Sequence, residues 1–386
     1  MITKNIISVV KDVKVFLNES QKNITIINSF YIPPPLNHIS VKSVKIISQG
    51  VIQVYERDDT TLSLESEGDI LVKMKACGIC GSDLEKIYGQ YGMTSARLGH
   101  EPSGEVLAIG NKVKGIKIGD RVFVHHHVSC NSCHYCRHGN NTMCKSYQKS
   151  NINPCGLSDR FIVPAWNVER GGVLRLPDTM TYEQASLIEP LACCLRALNK
   201  VPFQKRDSLV IFGAGPAGIM LLTLAKLAGA GTIFLVDINH FRLEFSRKFL
   251  SDTYFLNAQK ENYSKIIKEI TQSRGVDLAI VATSSLTALS NAIEITRKGG
   301  DILLFGVPTK DSQFPFPAST LYSNELTVIP SYAASELETN QALNLLKDRK
   351  INLDYLITHK YTLEQSPAAF FCAHKAKDCM KVIITT

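Results

Sequence analysis

The sequence lacks the features that mark three broad classes of protein. Its 386 residues contain no apolar run of the roughly 18 to 20 residues that a membrane span needs. The first stretch, MITKNIISVVKDVKVF, has charges scattered through it and no clean signal-peptide core. The net charge of +8 is not gathered into a long run of one sign, as in a nucleic-acid-binding stripe. We therefore expect a cytoplasmic protein without a membrane or nucleic-acid partner.

Eleven cysteines are present although no export signal is recognised. Disulfide frameworks are rare in reducing compartments, so these cysteines indicate free thiols and metal ligands. The chain exceeds the length at which one hydrophobic core usually stops growing, which predicts two domains. Hydrophobic residues make up 45% of the sequence, which is typical of a globular protein.

The pattern of apolar residues changes along the chain. Residues 1–40 end in a run with three consecutive prolines at 33–35, which favours extended geometry, and we predict an N-terminal extension of unknown role. From residue 41 to about 124, short β-branched runs separated by turn residues predict a β-rich unit. After residue 208, apolar strands alternate with helices that we place at 216–229, 240–250 and 286–297. This alternation predicts a parallel sheet with right-handed crossovers.

Four cysteines lie close together in CNSCHYCRHGNNTMC, namely Cys130, Cys133, Cys136 and Cys144. Separations of two, two and seven residues allow four thiolates to surround one zinc ion, which leaves no open position for chemistry. An iron–sulfur cluster is the alternative, but the spacing differs from ferredoxin runs and no proline follows the last cysteine. We therefore predict a structural zinc site.

A glycine motif, GAGPAG, directly follows an apolar strand and begins a helix. Gly213 permits the tight turn, Gly215 lets a pyrophosphate approach the backbone, and Gly218 allows close packing of helix and sheet. The helix N-terminus, which includes Pro216 and Ala217, supplies partial positive charge. This context predicts a dinucleotide-binding site.

Asp237 ends the second strand of this unit, 19 residues after Gly218. A carboxylate at this position accepts hydrogen bonds from the ribose hydroxyls and repels a 2′-phosphate, which favours NAD. His240 and Arg242 are close enough in sequence to keep NADP as an alternative.

Five motifs follow one another along the chain: GICGSD at 78–83, LGHEPSGEV at 98–106, the four-cysteine segment, LIEP at 187–190 and GAGPAG at 213–218. In this order they resemble the zinc-dependent medium-chain dehydrogenases, from about residue 41 to the C-terminus. Glu189 in LIEP stands where other alcohol dehydrogenases carry a cysteine. The resemblance is therefore to the polyol (sorbitol) and threonine dehydrogenase branch.

The resemblance implies an α/β fold in two parts. A GroES-like β-rich catalytic domain with the structural zinc lobe would span 41–190, and a Rossmann domain with a doubly wound parallel sheet would span 191–330. Residues 331–386 would return to the catalytic domain. The resemblance also implies two zinc ions per subunit, one catalytic and one structural, and assembly as a homodimer or homotetramer.

The same resemblance supplies the catalytic zinc ligands. Cys80 in GICGSD and His100 in GHE match two of them, which makes Cys77 a bystander. The third protein ligand stays open between Glu101 and Glu189, and the two carboxylates can exchange on the metal.

Residues beside the metal are also implied. Asp83 matches the carboxylate that accepts a hydrogen bond from the zinc-ligating histidine. Ser82 matches the hydroxyl that relays the substrate proton toward solvent. Phe305, Gly306 and Val307 match the strand end whose backbone meets the nicotinamide carboxamide.

These parts predict an oxidoreductase that transfers a hydride from a secondary alcohol to NAD, with zinc polarising the hydroxyl. Polyols, cyclitols, sugar derivatives and amino alcohols all remain open as substrates. Two alternatives are an NADP-dependent alcohol dehydrogenase or reductase and a non-catalytic or regulatory nucleotide-binding protein on the same scaffold.

Two segments depart from the family pattern. Ser331 and Tyr332 stand where relatives of sorbitol dehydrogenase carry an Arg–Tyr pair, so the arginine that would hold a polyol chain is missing. Cys155 and Asp159 lie in NPCGLSDRF, which also departs from the pattern. Both departures concern the predicted substrate pocket.

Several other polar side chains are interpreted as structural. The tract 125–127 is three histidines after an apolar strand, where neighbouring side chains point to opposite faces. Lysines and arginines of the C-terminal third are interpreted as solvated surface. Four further cysteines are interpreted as packing residues, namely Cys193, Cys194, Cys372 and Cys379.

Overall fold

The computed structural model describes residues 40–58, 64–89 and 97–386, together with three short backbone strands before residue 40. The chain divides into two compact units, one of residues 1–40 and 58–63 and one of residues 41–57 and 64–386. The described part of the first unit is an antiparallel sheet of β1 (Ser8–Val10), β2 (Val13–Phe16) and β3 (Thr25–Ile27). The proline run at 33–35 lies outside the described residues.

The strands that follow are mostly antiparallel, as the β-branched runs predict. They are β4 (Ser40–Ser48), β5 (Val51–Asp58), β6 (Ile70–Gly78), β7 (Pro102–Ile109), β8 (Arg121–Val124), β9 (Arg160–Val163) and β10 (Val173–Arg175). β4 pairs with β5, and a larger sheet has the order β10-β8-β7-β6-β18-β17, with β9 also paired to β6. Its last two members are β17 (Ile357–Thr362) and β18 (Lys381–Thr385). The C-terminal strands thus complete a sheet that begins 300 residues earlier in the chain.

Short helices occur in this part of the molecule, and most of them connect strands of the larger sheet along the chain. They are α1 (Gly81–Tyr88), α2 (His134–Arg137), α3 (Ala165–Glu169), α4 (Tyr182–Ala185) and, near the C-terminus, α12 (Ser366–Lys375). Single 3₁₀ turns occur at Asn141–Met143, Asp354–Leu356 and Leu363–Gln365. The longer α5 (Ile188–Asn199) follows α4 and leads to the next sheet.

Six parallel strands form that next sheet, which confirms the predicted α/β fold class. The strands are β11 (Leu209–Phe212), β12 (Ile233–Asp237), β13 (Tyr254–Asn257), β14 (Val276–Val281), β15 (Thr296–Leu304) and β16 (Thr327–Pro330). The order is β13-β12-β11-β14-β15-β16. Because the order reverses between β11 and β14, a crevice opens at the carboxyl ends of these two strands.

Helices follow the strands of the parallel sheet. They are α6 (Pro216–Leu227), α7 (His240–Phe249), α8 (Tyr263–Ile270), α9 (Leu286–Ile295), α10 (Ala318–Asn324) and α11 (Glu336–Lys347). α5 packs against α6 and α11. Leu187 and Ile188 of the α5 region share one buried cluster with Leu209 and Ile211 of β11. Burial of this apolar surface fixes the LIEP segment against the dinucleotide-binding sheet.

Within the part of the chain that the structure describes, no helix has both the length and the apolar character needed to cross a bilayer.

Candidate active site

Two motifs that are about 20 residues apart meet at one end of the larger sheet. β6 and β7 pair antiparallel, with Cys77 opposite Pro102, so Cys80 after β6 lies beside the residues that precede β7. Ligand atoms of Cys80, His100 and Glu101 all lie within 4.8 Å of one another. A thiolate, an imidazole and a carboxylate form a donor set that zinc accepts, with a fourth position left open. The residues present therefore fit a catalytic zinc ion.

Two glycines make this approach possible. A Cβ at Gly78 would lie 1.8 Å from Oε2 of Glu101. Gly99 has a φ of +77°, and a Cβ there would lie 2.6 Å from Cγ of Leu157. Side chains at either position would therefore push Glu101 or His100 away from the other ligands.

Asp83 is fully buried beneath this group. Its carboxylate accepts hydrogen bonds from the amides of Cys80 (3.3 Å) and Gly99 (3.2 Å), and Nδ1 of His100 lies 3.5 Å away. Burial opposes ionisation of Asp83, but His100, Lys86 and the Gly99 amide hold its pKa well below its usual range. The ionised carboxylate orients the His100 ring with Nδ1 toward Asp83 and leaves Nε2 for a metal.

The surroundings of His100 favour a cation. Burial lowers the pKa of His100, but the negative charges of Asp83 and Cys80 outweigh burial and raise it overall. The same negative field attracts a metal ion to this position.

Lys381 at the start of β18 also reaches this group, and sequence reasoning missed it. Its side chain is 4% exposed. The ammonium group donates to Oε1 of Glu101 (2.7 Å) and to the carbonyl of Ile79 (3.0 Å). Burial lowers the pKa of Lys381, but Glu101 and Cys80 raise it overall. The interpretation of C-terminal lysines as solvated surface is wrong for Lys381, and the available signal was a lysine inside the apolar run KVIIT.

Glu189 in the first turn of α5 is buried near the three predicted ligands but is not one of the converging group. Sγ of Cys193, one helical turn later, donates to its Oε1 (3.3 Å). Burial and the charge of Glu101 raise the pKa of Glu189, and the opposing effects of His100 and Cys193 are smaller. Cys193 is therefore more than a packing residue, whereas Cys194 is fully buried as predicted.

A cavity of about 600 Å³ opens above these side chains. It is lined by predicted site residues (Cys80, Ser82, His100, Glu189, Ala217, Phe305, Gly306 and Val307) and by polar residues (Glu85, Lys86, Arg97, His126, His127, Gln148, Lys149, Asn151, Thr283, Ser284, Ser331 and Tyr332). Oγ of Ser331 is buried and has no hydrogen-bond partner within the described part of the chain, and the Tyr332 hydroxyl accepts from Gln148 (2.8 Å). The cavity joins the predicted metal ligands to the carboxyl ends of the parallel strands.

The three histidines at 125–127 do not point to alternating faces as expected, because β8 ends at Val124. The rings of His126 and His127 pack with centroids 4.0 Å apart, and Nε2 of His127 lies 3.1 Å from Nδ2 of Asn151. Burial lowers the pKa of His125 to about 3 and that of His127 to about 4. Both rings are therefore neutral near neutral pH and contribute no charge to the site.

The four cysteines of the predicted lobe converge on one point, with ligand atoms within 4.8 Å of one another and no disulfide among them. Sγ of Cys133 lies 3.5 Å from Sγ of Cys136. Amides of Cys130 and Ser146 donate to Sγ of Cys144, each at 3.4 Å. Backbone amides, with that of Ser132 first, lower the pKa of Cys130 to about 6. Four convergent thiols with amide donors fit a tetrahedral zinc ion.

The glycine motif lies between β11 and α6, as predicted. Gly213 has a φ of +110°, and a Cβ at Gly218 would lie 1.8 Å from the carbonyl oxygen of Gly213. Asp237 accepts hydrogen bonds from the amides of Ala214 (2.6 Å) and Asn239 (2.7 Å). Nη1 of Arg242 would lie 3.3 Å from a Cβ at Gly215, and its buried Nε has no hydrogen-bond partner among the residues that the structure describes. A guanidinium with an available donor beside a helix N-terminus fits the phosphates of a dinucleotide.

Comparison with known proteins agrees with this geometry. The family model of the alcohol dehydrogenase GroES-like domain matches residues 66–177, and that of the zinc-binding dehydrogenase matches residues 216–348. Sorbitol dehydrogenase of Bacillus subtilis is 32% identical over 322 residues, which cover 82% of this chain and 90% of that protein. The chain belongs to the zinc-dependent medium-chain dehydrogenases.

Other members give the same result. D-arabitol-phosphate dehydrogenase of Enterococcus avium is 30% identical over 317 residues, 81% of this chain and 88% of that protein. The solved structure of an alcohol dehydrogenase from Thermus sp. ATN1 is 27% identical, with a TM-score of 0.80, and covers 89% of this chain and 99% of that one. The dehydrogenase is thus an enzyme of the polyol and threonine dehydrogenase branch, and the alternative of a non-catalytic nucleotide-binding protein is set aside.

Proposed function

We propose that this dehydrogenase oxidises a polyhydroxylated secondary alcohol with NAD, at a zinc ion held by Cys80, His100 and Glu101. The observation that carries the proposal is the convergence of these three side chains beside a cavity that Phe305, Gly306 and Val307 also line. One cavity therefore gives an alcohol access to both the metal ligands and the nicotinamide side of the cleft. Bringing reactants together in this way supplies about 7–11 kcal/mol of the barrier in well-aligned systems.

A zinc ion held by these residues would supply Lewis acidity toward the substrate hydroxyl, and a bound nicotinamide would supply the hydride acceptor. Ser82 lines the cavity and relays the hydroxyl proton toward solvent. Asp83 holds the His100 ring in place through its Nδ1 side. Glu189, which is buried next to the group, would be the carboxylate that takes the place of Glu101 if the two exchange on the metal.

The cavity favours a substrate with several hydroxyls. Asn151, Gln148, Ser331 and Tyr332 place amide and hydroxyl groups around its wall. The unpartnered Oγ of Ser331 provides a hydrogen bond that a simple aliphatic alcohol would leave unmade. These neutral polar groups would make the substrate contacts that an arginine makes in relatives of sorbitol dehydrogenase, where this chain has Ser331.

The choice of NAD rests on Asp237 and Arg242. Asp237 ends β12 with a carboxylate that would repel a 2′-phosphate. Arg242 lies against Gly215, at the turn where a pyrophosphate approaches the backbone. This position assigns Arg242 to the pyrophosphate that NAD and NADP share.

We assign a second, structural zinc ion to Cys130, Cys133, Cys136 and Cys144. Nη2 of Arg196 on α5 donates to the carbonyl of Gly139 in this lobe (3.2 Å). The ion therefore stabilises a lobe that is anchored to the helix carrying Glu189. From the family resemblance we also expect a homodimer or homotetramer.

A substrate panel tests the proposal. The zinc-loaded enzyme would be assayed with sorbitol, xylitol, arabitol, an inositol, L-threonine and ethanol, each with NAD and with NADP, by the absorbance of the reduced nicotinamide. We expect the highest kcat/KM for a polyol or cyclitol with NAD. A preference for ethanol, or no reduction with any of the hydroxylated compounds, would overturn the proposed substrate class.

A further inference from the structure

We propose that His359, Cys372 and Asp378 form an additional zinc site in the C-terminal segment, separate from both zinc sites assigned above. His359 belongs to β17, Cys372 to α12, and Asp378 to the turn that joins α12 to β18. The three residues come from elements that are adjacent in sequence but are held together by the C-terminal part of the larger sheet.

The donor atoms already lie close together. One ligand atom from each residue lies within 4.8 Å of the other two. Zinc bonds of about 2.0–2.3 Å place tetrahedral ligands roughly 3.3–3.8 Å apart. Side-chain rotations that move the donor atoms by about 1 Å would therefore bring them to zinc-binding distance. One sulfur, one nitrogen and one oxygen ligand suit zinc better than calcium or magnesium.

The site is accessible and its charge is suitable. His359 and Cys372 are partly exposed and Asp378 is exposed, so an ion can enter from solvent. Within the described part of the chain, the Asp378 carboxylate has no hydrogen-bond or ion-pair partner, and its negative charge remains available to a cation. Together with a Cys372 thiolate it neutralises a divalent ion.

The backbone around the site is fixed by contacts on three sides. Oγ1 of Thr358 lies 3.0 Å from Nδ1 of His359 and accepts from the Met380 amide (2.9 Å). Nδ2 of Asn239 on the dinucleotide-binding side donates to the carbonyl of Ala376 (2.8 Å), whose φ is +46°. These bonds hold the turn that carries Asp378 over the end of α12, so little ordering entropy opposes metal binding.

Cys379 supports the site without entering the group of three. It is buried, and its Sγ donates to the carbonyl of Cys372 (3.3 Å). A water molecule would complete the coordination at the exposed face. Under this proposal Cys372, which packs against the hydrophobic cluster of the larger sheet as predicted, would also serve as a ligand.

The proposal predicts one more zinc equivalent than the catalytic and four-cysteine sites hold. Holoenzyme would be titrated with zinc under reducing conditions against a chromophoric chelator, and the thermal unfolding midpoint would be recorded with and without added zinc. We expect one additional equivalent and a higher midpoint, because an ion that binds the folded state stabilises it.

Variants distinguish this site from adventitious binding. Cys372→Ser and Asp378→Asn should weaken the additional equivalent by at least about tenfold and remove the zinc-dependent rise in midpoint. The matched control is His374→Gln. His374 lies on the same helix but is not one of the three converging residues, and its ring stacks on that of Tyr88 with the centroids 4.0 Å apart. Loss in the two ligand variants with retention in the control supports the site. Absence of a further equivalent in the unaltered enzyme, or equal binding by all three variants, overturns it. Because Asp378 is exposed, its variant also tests the site if Cys372→Ser fails to fold.

Discussion

The ammonium group of Lys381 lies 2.7 Å from Oε1 of Glu101, and both side chains are buried. The two residues are 280 positions apart in the chain, so the pair joins the last strand to the metal-binding end of β6 and β7. A buried ion pair of this kind is sensitive to the loss of one partner, since the remaining charge is left without compensation.

Replacing Lys381 by methionine should therefore destabilise the fold by about 3–5 kcal/mol and lower zinc content. The free energy of unfolding would be measured by urea denaturation, and the metal by elemental analysis. Lys360→Met is the matched control. Lys360 is also a C-terminal lysine in an ion pair, with its Nζ 2.6 Å from Oε1 of Glu183, but its side chain is 55% exposed. This surface pair should contribute about 0–1 kcal/mol. Equal effects of the two substitutions would contradict the assigned role of Lys381.

Cys80→Ser should reduce kcat by more than about a hundredfold while the far-UV circular dichroism and the midpoint of unfolding change little. The reason is that Cys80 supplies a ligand at the edge of a cavity, not a core side chain. Cys77→Ser, three residues earlier and fully buried, should keep the metal and the activity. If Cys80→Ser retains both zinc and turnover, the ligand assignment is wrong.

Cys133→Ser should have the opposite effect to Cys80→Ser, with a large loss of stability and a small change in kcat. Four thiols hold the lobe that Arg196 contacts through Gly139, so loss of one ligand should lower stability or assembly more than the chemical step. Thermal unfolding and analytical ultracentrifugation would be compared with kcat for the remaining folded enzyme. A variant with normal stability and a selectively reduced kcat would contradict a structural role.

Asp83→Asn should lower zinc affinity about 10–100-fold, with a smaller change in stability. The amide has one acceptor oxygen in place of two, so it can accept from the backbone of Cys80 or of Gly99 but not from both, and it no longer places a negative charge 3.5 Å from Nδ1 of His100. Competition with a zinc chelator measures the affinity. Unchanged affinity would show that the His100 ring is oriented by packing alone.

Asp277 should make the stability of the parallel sheet depend on pH. Its carboxylate accepts from the Ser208 amide (2.7 Å) and hydroxyl (2.6 Å) and from Nε of Arg297 (2.5 Å). Burial raises the pKa of Asp277, but Ser208 and Arg297 lower it overall. Because the folded-state pKa lies below the unfolded value of about 3.9, this stabilisation is present above that pH and is lost as the pH falls through the folded-state pKa.

Asp277→Asn should accordingly destabilise the enzyme by about 1–3 kcal/mol near neutral pH, and the difference from the unaltered enzyme should shrink below about pH 4. Urea denaturation at several pH values would measure it. A difference that stays constant or grows on acidification would contradict the lowered pKa.

The sequence was most informative where local pattern and chemistry coincide. The glycine motif, the strand before it and the helix after it lie where predicted, although α6 ends at Leu227 and not at 229, because Gly229 takes a left-handed φ of +91°. β13 and α8 were not predicted individually. Short elements with weak patterns are defined mainly by their packing on neighbouring strands.

The sequence motifs predicted the candidate ligands of the site. They did not predict the contacts that these ligands make with residues far away in the chain. Lys381 lies in an apolar strand whose pairing with β6 no local pattern reveals. Cys193 contacts Glu189 one turn away on α5, a spacing that is visible in the sequence but equally typical of packing. The strand geometry expected for residues 125–127 was wrong because the end of β8 could not be placed to the residue.

The pairing of β18 with β6, which sets Ile384 opposite Cys77, has a consequence for biosynthesis. During synthesis the segments that carry Cys80, His100 and Glu101 are made long before β18, the strand that carries Lys381. Until β18 pairs with β6, the Glu101 carboxylate lacks its buried ammonium partner. Assembly of the candidate site therefore depends on closure of the sheet, and zinc loading should coincide with that closure and not precede it.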